Sequence, residues 1–394
     1  MKKFFSFLSL LMLAVTAMAE NWQYRLPDNT YVSVVSIPGS HDSATGSGWA
    51  SGMGILGDRY AKTQELTIAE QWTLGVRAFD FRPCVYEDYM NLNHGIMPTK
   101  LHFEDTMLQL RDSLINNPSE FIIIHLLHDK DGDQVENAYN QRIVEFLQSD
   151  PIKDYLVDFK RALTVGDMRG KILILSRDKY ATKPIGGFLL NWKTDNVNWA
   201  EQTAGKIQGA ASSIQGTLYM QDYSDTHNEG GIQTKLDAIK KMLDTSTKYR
   251  TITAAGIRWI YNFASAYSKV ENLFGNEISL SDGYRDNASH TNAFIADYLK
   301  ADGYKPGPTG IIMMDFVGVD ETNGYKTRGC ELVQTIIDNN FGYLDDIPLS
   351  IGGVQEQEGL EKQPYVTYDL SGRPLSTSSR PKGLYIRNGR KVIR

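Results

Sequence analysis

The sequence predicts an α/β fold, a (β/α)8 barrel of the TIM type, irregular in places, with a small β-type appendage at its C-terminus. Short apolar runs alternate with amphipathic stretches, and eight such repeats over about 300 residues are typical of a barrel. Most runs are continuously apolar, as expected for parallel strands buried on both faces. The predicted strands are residues 32–37, 76–81, 90–93, 121–127, 172–175, 217–220, 257–263 and 311–316.

The stretches between these runs carry apolar residues at helical spacing. They predict helices at residues 101–114, 137–148, 232–243 and 290–300. We therefore expect helices to cover the outside of the barrel, as they do when parallel strands are joined by crossover connections.

Composition and charge narrow the class of protein. Of the 394 residues, 41% are hydrophobic and 22% are charged, which supports a packed globular core. The net charge is −6, whereas proteins that bind nucleic acid usually carry a basic excess. We expect no nucleic-acid partner.

The N-terminus has the features of a secretory signal peptide at residues 1–19. Lys2 and Lys3 precede an apolar run at residues 4–16, and Ala17-Met18-Ala19 is a small-x-small cleavage signal. The run is too short for a comfortable membrane span. We expect the mature chain to begin near Glu20 and to be secreted or periplasmic.

The remaining chain is predicted to contain a barrel at residues 20–350 and a different segment at residues 355–394. Residues 355–362 are polar and charged, like a linker, and strand signals follow at residues 365–370 and 383–387. This tail resembles the C-terminal segments of secreted proteins from the Bacteroidetes group. A sorting role and a plain β-hairpin appendage both fit it.

The two cysteines, Cys84 and Cys330, are far apart and do not form a metal-ligand pair such as C-x-x-C. We expect structural thiols, and the sequence leaves open whether the two pair with each other.

Polar, titratable residues recur where the predicted strands end. Since parallel strands of a barrel end at one rim, these side chains are predicted to meet where barrel enzymes build their active sites. Two histidines could serve as base and acid, an arginine could hold a phosphate in fork geometry, and an aspartate could orient an imidazole. The residues concerned are His41, Asp42, Arg82, His94, Arg177, Asp222 and Asp315.

Three motifs in this order resemble bacterial phosphatidylinositol-specific phospholipase C, the X-domain family. They are Gly39-Ser40-His41-Asp42-Ser43, Gly75-Val76-Arg77-Ala78-Phe79-Asp80-Phe81-Arg82 and Asn93-His94-Gly95. Later segments agree, and the resemblance runs from about residue 31 to about residue 316. It implies cleavage of phosphatidylinositol, or of a glycosylated inositol lipid, to diacylglycerol and inositol 1,2-cyclic phosphate.

The resemblance implies a role for each matched residue. His41 takes the proton of the inositol 2-hydroxyl, with Asp315 as its partner. His94 protonates the departing diacylglycerol oxygen, helped by Asp42, and Arg82 holds the phosphate oxygens. The residues expected to contact the inositol ring are Arg177, Asp222 and Tyr223.

Two departures from the family pattern concern the head group. The family has a lysine shortly after its fourth strand, and its counterpart in His125-Leu126-Leu127-His128-Asp129-Lys130 is not evident. The family's aromatic residue lies two positions after the aspartate of the sixth strand, whereas Tyr223 lies one after Asp222.

The resemblance implies no cofactor and no metal, no obligate protein partner and a monomer that acts on inositol phospholipid at a membrane surface. Two other interpretations stay open. One is a metal-dependent glycerophosphodiester phosphodiesterase on a similar barrel, and the other is a barrel that binds inositol glycans or lipids without catalysis.

The loop at residues 46–57 follows the first predicted strand and would rise from the active-site rim. It is rich in glycine and contains Trp49, Met53, Ile55 and Leu56. Tryptophan and aliphatic side chains on such a loop suit contact with a membrane, with Trp49 as the main residue. The alternative is that they pack inward as part of the barrel wall.

Overall fold

The structure, a computed structural model, describes residues 21–194, 204–211, 213–227, 231–248, 257–271 and 277–344, together with four short strands near the C-terminus. The predicted signal peptide and the predicted linker at residues 355–362 lie outside the described residues. The chain divides into two compact units, Met1–Ser350 and Ile351–Arg394.

Within the described residues, nine strands close into a barrel. In spatial order they are β1 (Ile37–Ser40), β2 (Ala78–Phe81), β6 (Ile122–Leu126), β7 (Ile172–Ser176), β8 (Gly187–Leu190), β9 (Gly205–Gln208), β10 (Gln215–Gln221), β11 (Arg258–Phe263) and β14 (Ile311–Met314).

Eight of these strands run parallel, and β9 runs antiparallel to both of its neighbours, β8 and β10. The barrel closes where β1 pairs with β14, with Ile37 opposite Ile311. The barrel prediction is therefore confirmed, and the antiparallel ninth strand is its irregular feature.

Two of the predicted strands differ from the structure. Residues 32–34 form a 3-10 turn rather than a strand, and β1 begins only at Ile37. Residues 90–93 form a strand outside the barrel, in a three-stranded antiparallel sheet of β3 (Pro83–Val85), β4 (Met90–His94) and β5 (Met97–His102). The eighth parallel strand of the barrel is instead β8. The sequence does not predict it, because Gly186 and Gly187 interrupt its apolar pattern.

Four helices lie at the positions that the sequence predicts, with ends that differ by a few residues at three of them and a start nine residues earlier for the helix predicted at 290–300. Four further helices were not predicted, and together the eight described helices cover the barrel. They are α1 (Gly54–Tyr60), α2 (Ile68–Leu74), α3 (Phe103–Asn116), α4 (Tyr139–Leu147), α5 (Val165–Met168), α6 (Gly231–Ser246), α7 (Ser281–Lys300) and α8 (Gly329–Asn340). No described helix is both long enough and apolar enough to span a membrane.

An ion pair fixes the end of the barrel at which the parallel strands begin. Arg77 lies just before β2, and its Nε is 3.0 Å from Oε2 of Glu120, which lies shortly before β6. Both side chains are fully buried, and the guanidinium stacks over Trp72 at 3.7 Å. A pair so enclosed is costly to break from one side, so it anchors this end of the barrel.

Two smaller sheets complete the described structure. A hairpin of β12 (Lys269–Glu271) and β13 (Glu277–Ser279) lies between β11 and α7 in the chain. In the C-terminal unit, β15 (Thr367–Tyr368), β16 (Pro374–Leu375), β17 (Leu384–Arg387) and β18 (Arg390–Ile393) form an antiparallel sheet in the order β16-β15-β17-β18.

Candidate active site

The exit from β1 places two functional side chains side by side. His41 follows the strand directly, and its backbone N–H donates to the carbonyl of Met314 on β14. Asp42 then adopts a left-handed conformation with φ of 42°, which aspartate tolerates better than most residues. The turn points His41 and Asp42 toward the same space above the barrel.

Strand β14 supplies the partner of His41. Asp315 follows this strand, and its Oδ1 is 2.8 Å from Nδ1 of His41. Because a carboxylate accepts and does not donate, Nδ1 carries the hydrogen and Nε2 is directed to the other groups of the site. The predicted pairing of His41 with Asp315 is present in the structure.

Strand β2 places a carboxylate and a guanidinium on one face. Asp80 and Arg82 are two residues apart, so both side chains point to the inside. Nη2 of Arg82 is 3.1 Å from Oδ2 of Asp80 and 3.0 Å from Nε2 of His41. The same Asp80 oxygen accepts from the backbone N–H of Asp42 at 3.1 Å, which ties β2 to the turn after β1.

His94 enters the site from the side sheet, at the end of β4. Its Nδ1 lies 2.6 Å from the carbonyl oxygen of Ala61, the residue that follows α1. Since a carbonyl only accepts, Nδ1 carries a hydrogen here and Nε2 faces the site. The two imidazole rings are 6.3 Å apart between centroids and nearly perpendicular.

Asp42 lies at the centre of this cluster. Its carboxylate oxygens are 3.2 Å from Nε2 of His41, 3.4 Å from Nε2 of His94 and 2.8 Å from Nε of Arg82. These contacts are close enough for ion pairs but are not aligned as hydrogen bonds. Both carboxylate oxygens of Asp42 and Nε of Arg82 are buried without a hydrogen-bond partner. The side-chain nitrogens of His41, His94 and Arg82 are therefore close to one another and free to turn toward a bound anion.

The charges in the cluster shift its pKa values strongly. Burial alone would lower the pKa of His41, but the charges of Asp42 and Asp315 outweigh it and raise that pKa to about 9. Burial alone would raise the pKa of Asp80, but Arg82 and the nearby histidines hold it well below its usual range. The pKa of Arg82 lies well above its usual value because Asp42 and Asp80 outweigh the effect of burial.

A cavity of about 320 Å³ opens above these groups. It is lined by His41, Arg82 and His94 on one side and by Arg177 and Asp222 on the other. The structure thus brings together five of the predicted residues around one space, with Asp42 and Asp315 directly behind them.

Arg177 and Asp222 form the polar wall of the cavity with help from Trp192. The indole N–H of Trp192 donates to Oδ2 of Asp222 at 2.7 Å, and the guanidinium of Arg177 lies 4.9 Å from the centre of the Trp192 ring. Arg177 and Asp222 themselves approach to 3.8 Å. Trp192 holds both side chains, and sequence reasoning did not find it.

Tyr223 is not among the side chains that line the cavity. It is 6% exposed and packs with Ala238, Met242 and Ile260, between α6 and the barrel. The physical reason is strand alternation, since Asp222 points into the barrel and the next residue points outward. The described aromatic residues that do line the cavity are Phe263, Tyr267 and Tyr284.

No lysine of the segment after β6 lines the cavity. Lys130 is exposed, and it lines a different surface depression together with His128 and Asp133. Among the described residues, the lysine that lines the active-site cavity is Lys269 on β12.

Trp49 is buried, and its expected exposure to a membrane is wrong for this structure. The side chain is 4% exposed, and its indole N–H donates to Asp58 at 2.9 Å. It packs against Gly57 of α1, where an added Cβ would lie 2.1 Å from the indole ring. The alternative interpretation, a packed wall residue, describes Trp49.

One group of described residues could offer ligands to a metal ion. Single ligand atoms of His41, Asp42 and Asp80 lie within 4.8 Å of one another. The guanidinium of Arg82 lies against both carboxylates, so a fixed cation already has the position that a divalent ion would need. The donor set therefore fits a metal ion poorly.

Sequence reasoning named the catalytic candidates but missed several supporting groups. Asp80 could have been found, because it lies two positions before Arg82 on a predicted strand. The Ala61 carbonyl has no side-chain signal. Tyr284 on α7, whose ring is 5.7 Å from that of His94, lies far along the chain from every motif.

Both cysteines are free. Cys84 is buried, and its thiol donates to the backbone carbonyl of Asp129 at 2.9 Å. Burial and the neighbouring carboxylates raise its pKa, so it is an unreactive structural thiol.

The barrel and the cluster on its rim define a class, an α/β-barrel protein with two histidines and an arginine on one cavity. No family model matches the sequence. The chain is similar to the 1-phosphatidylinositol phosphodiesterase of Staphylococcus aureus, with 26% identity over 338 residues that cover 82% of this chain and 94% of the relative. It is also similar to the enzyme of that name from Listeria monocytogenes, with 30% identity over 175 residues that cover 42% of this chain and 51% of the relative.

Solved structures agree on the fold. A phosphatidylinositol-specific phospholipase C from Staphylococcus aureus superposes with a TM-score of 0.63 at 22% identity, covering 82% of this chain and 98% of the other. The phosphatidylinositol-specific phospholipase C from Listeria monocytogenes gives a TM-score of 0.58 at 23% identity with the same coverage. Over most of its length the chain is therefore similar to bacterial phosphatidylinositol-specific phospholipases C.

Proposed function

We propose that this chain is a phosphatidylinositol diacylglycerol-lyase that cleaves phosphatidylinositol, or a glycosylated inositol lipid, to diacylglycerol and inositol 1,2-cyclic phosphate. One observation carries the proposal. Two imidazoles face one cavity with their Nε2 atoms, each has its Nδ1 bonded to an acceptor, and the guanidinium of Arg82 lies beside them. This arrangement supplies a base, an acid and a cation for a phosphate group.

In the first step His41 acts as general base. Its Nε2 takes the proton of the inositol 2-hydroxyl, and the oxygen attacks phosphorus within the same molecule, so no nucleophilic side chain is needed. Asp315 holds the Nδ1 hydrogen and stabilises the imidazolium that forms. The carboxylates around His41 make it a strong proton acceptor once Nε2 is free.

Arg82 acts as the phosphate clamp. Negative charge grows on the non-bridging oxygens as the new P–O bond forms, and a planar guanidinium can donate to two of them at once. Asp80 and Asp42 hold the guanidinium in the meantime. The same two carboxylates keep Arg82 fully charged.

In the same step His94 acts as general acid. Its Nδ1 is fixed to the Ala61 carbonyl, so its Nε2–H can be given to the diacylglycerol oxygen as the P–O bond breaks. An Asp42 carboxylate oxygen lies 3.4 Å from Nε2 of His94, close enough to orient the imidazole.

The inositol ring is proposed to lie between this cluster and the polar wall. Arg177 and Asp222 offer donors and acceptors for ring hydroxyls, and both are held by Trp192. Lys269 adds a cation at the other side of the cavity. Free phosphatidylinositol and a glycosylated inositol lipid share the ring and the phosphodiester that these groups would contact.

The deciding experiment identifies the phosphorus-containing product by ³¹P NMR, with phosphatidylinositol as substrate, in the presence and absence of EDTA. A five-membered cyclic phosphate formed equally in both samples is the expected result. A non-cyclic phosphomonoester, phosphatidate or inositol phosphate, formed only with a divalent cation would indicate the metal-dependent phosphodiesterase. Binding without turnover would indicate a non-catalytic barrel.

We also propose that the rim beside His94 contacts the membrane. Ile55 on α1 is 86% exposed, Leu56 is 47% exposed, and Ile96, two residues after His94, is 68% exposed. Large aliphatic side chains so exposed next to an active site are suited to shallow insertion into lipid. One of the similar solved structures concerns modulation of membrane binding by the Staphylococcus aureus enzyme, at a TM-score of 0.61 and 23% identity.

The membrane proposal predicts a difference between two substrates. Ile55→Ser with Leu56→Ser should weaken vesicle binding and cleavage of bilayer phosphatidylinositol by roughly tenfold, yet spare hydrolysis of soluble inositol cyclic phosphate. Ile115→Ser is the matched control, because Ile115 is 52% exposed on α3, on no wall of the cavity. Equal loss on both substrates would contradict membrane contact.

Secretion by the predicted signal peptide, a monomeric state and a sorting role for residues 355–394 remain part of this proposal. Mass spectrometry of the exported protein would locate the cleavage after Ala19. Deletion of residues 355–394 would test whether export, rather than activity, depends on the tail.

A further inference from the structure

One buried histidine has no part in the proposed reaction. His125 lies on β6, directly opposite Asp80 on the neighbouring strand β2. Its side chain is 1% exposed, and its ring packs among Trp192, Tyr261 and Phe263 at centroid distances of 5.2, 5.4 and 5.7 Å. A histidine in an aromatic box inside a barrel needs a physical reason, because its polar nitrogens are costly to bury.

Three polar atoms around this histidine are buried without a hydrogen-bond partner. They are Nδ1 of His125, Oδ1 of Asp80 and the hydroxyl of Tyr261. Residues opposite each other on neighbouring strands point to the same face, so His125 and Asp80 share the barrel interior. The Tyr261 hydroxyl can donate, Nδ1 of His125 can donate in one of its two tautomers, and the carboxylate oxygen accepts. Unmet buried groups of this kind cost about 1–3 kcal/mol each.

Asp80 connects this group to the phosphate clamp. Its other oxygen, Oδ2, holds Nη2 of Arg82 at 3.1 Å and the backbone N–H of Asp42 at 3.1 Å. A rotation of the Asp80 carboxylate would therefore displace the guanidinium that faces the substrate. A group that fixes Oδ1 of Asp80 therefore also fixes the position of the Arg82 guanidinium.

Charge favours a neutral group at this position. Burial, aided by the positive charges of Arg177, Arg82 and His41, lowers the pKa of His125 to about 3 against the opposing effect of Asp80. His125 is therefore a neutral donor at working pH, and it does not compete with Arg82 for the charge of Asp80. A lysine or arginine in its place would compete.

We propose that His125, together with the hydroxyl of Tyr261, is a positioning residue of the phosphate clamp. Through one bridging water it holds the Asp80 carboxylate in the orientation that presents Arg82 to the substrate. The inference rests on the proposed function for its kinetic consequences, and on geometry alone for its effect on Arg82.

The kinetic test uses His125→Phe, which keeps a ring among aromatic neighbours and removes both nitrogens. We expect kcat for phosphatidylinositol to fall by roughly 10- to 100-fold with KM changed less than about threefold, because the clamp acts mainly in the transition state. In an Arg82→Ala background the same change should cost less than about threefold, since its route of action is gone. An equal factor in both backgrounds would overturn the inference.

Gentler variants guard against a folding defect. Tyr261→Phe removes one hydroxyl and should lower kcat by roughly 3- to 10-fold, whereas His125→Gln restores a donor and should recover part of the activity lost in His125→Phe. Tyr139→Phe is the matched control, because its hydroxyl is also buried without a partner but lies beside His128, away from the cavity. A Tyr261→Phe variant as active as Tyr139→Phe, with no recovery in His125→Gln, would overturn the inference.

A readout without turnover separates this inference from the proposed function. In ¹⁵N NMR spectra the Nε–H signal of Arg82, assigned with Arg82→Lys, should exchange slowly with water in the wild type and rapidly in His125→Phe. An unchanged exchange rate overturns the positioning role even if the wild type cleaves phosphatidylinositol. A wild type that fails to cleave it while this signal responds refutes the proposed function alone.

Discussion

The pairing of His41 with Asp315 makes a prediction for both catalysis and stability. Asp315→Asn keeps the shape of the side chain but removes a charge 2.8 Å from Nδ1 of His41. Since that charge raises the pKa of His41, the variant should have a lower His41 pKa and a less well-oriented ring. We expect kcat to fall by on the order of 100-fold or more, as when the orienting carboxylate of a catalytic histidine is neutralised.

The magnitude on the pH scale follows from the shift. A rise of the His41 pKa from 6.5 to about 9 corresponds to about 3 kcal/mol. Asp42 and Asp315 are the main charges behind it, so the loss of one should lower the His41 pKa by roughly one unit or more. The acid limb of kcat/KM, which reports the free base, should move down in pH by that amount.

The free energy of unfolding should change over the pH range between the two pKa values of His41. A folded-state pKa above the unfolded value contributes stability that is fully present below about pH 6.5 and lost as the pH rises through about 9. The difference in Tm between wild type and Asp315→Asn should therefore be larger at pH 6 than at pH 9.5. Calorimetry at both values measures it.

Asp133→Asn is the control for these measurements. Asp133 pairs with His128 at 2.9 Å, outside the active-site cavity, so its loss should leave the pH profile of kcat/KM unchanged. An acid limb that stays in place in Asp315→Asn, or a loss of Tm that grows with pH, would refute the reasoning about His41.

Three further predictions concern the same site and its rim. His41→Ala and His94→Ala should each reduce turnover by at least about 100-fold in a protein of normal circular dichroism, and near-normal turnover in either would contradict the two-histidine scheme. Arg82→Lys should lose most activity because an ammonium cannot donate to two oxygens in a plane, while the wild type should keep its activity in EDTA; rescue by calcium would contradict an arginine clamp. Trp49→Ala should lower the free energy of unfolding by about 3–5 kcal/mol, measured by urea titration, and a Tm equal to that of the wild type would mean that Trp49 is not packed as described.

The sequence predicts most of the barrel because parallel buried strands leave a continuous apolar signal. The predicted strand at 121–127 corresponds to β6, and that at 257–263 to β11. The strand at 90–93 was assigned to the wrong sheet, since an apolar run does not say which neighbour it pairs with. Strands β8 and β9 were missed because each is four residues long and contains glycine.

The candidate catalytic residues were easier to predict than the groups that hold them. His41, Arg82 and Asp315 follow strands that end at one rim, so topology alone brings them together. His94 reaches the same place from a side sheet, and its main partner is a backbone carbonyl, which no residue type announces. Tyr223 was misplaced because one residue along a strand reverses the direction of the side chain.

The loop after β1 shows why composition alone does not locate a membrane contact. Its glycines suggest a flexible loop around Trp49. At Gly57, however, only glycine fits, because the indole ring occupies the space that a Cβ would need. A tryptophan has one donor, and Asp58 satisfies it at 2.9 Å within the protein, so the ring has no need of the polar interface. Ile55 has no polar atom and is 86% exposed on the same short helix. The side chain that lacks a partner in the fold, rather than the largest aromatic one, is therefore the better candidate for contact with lipid.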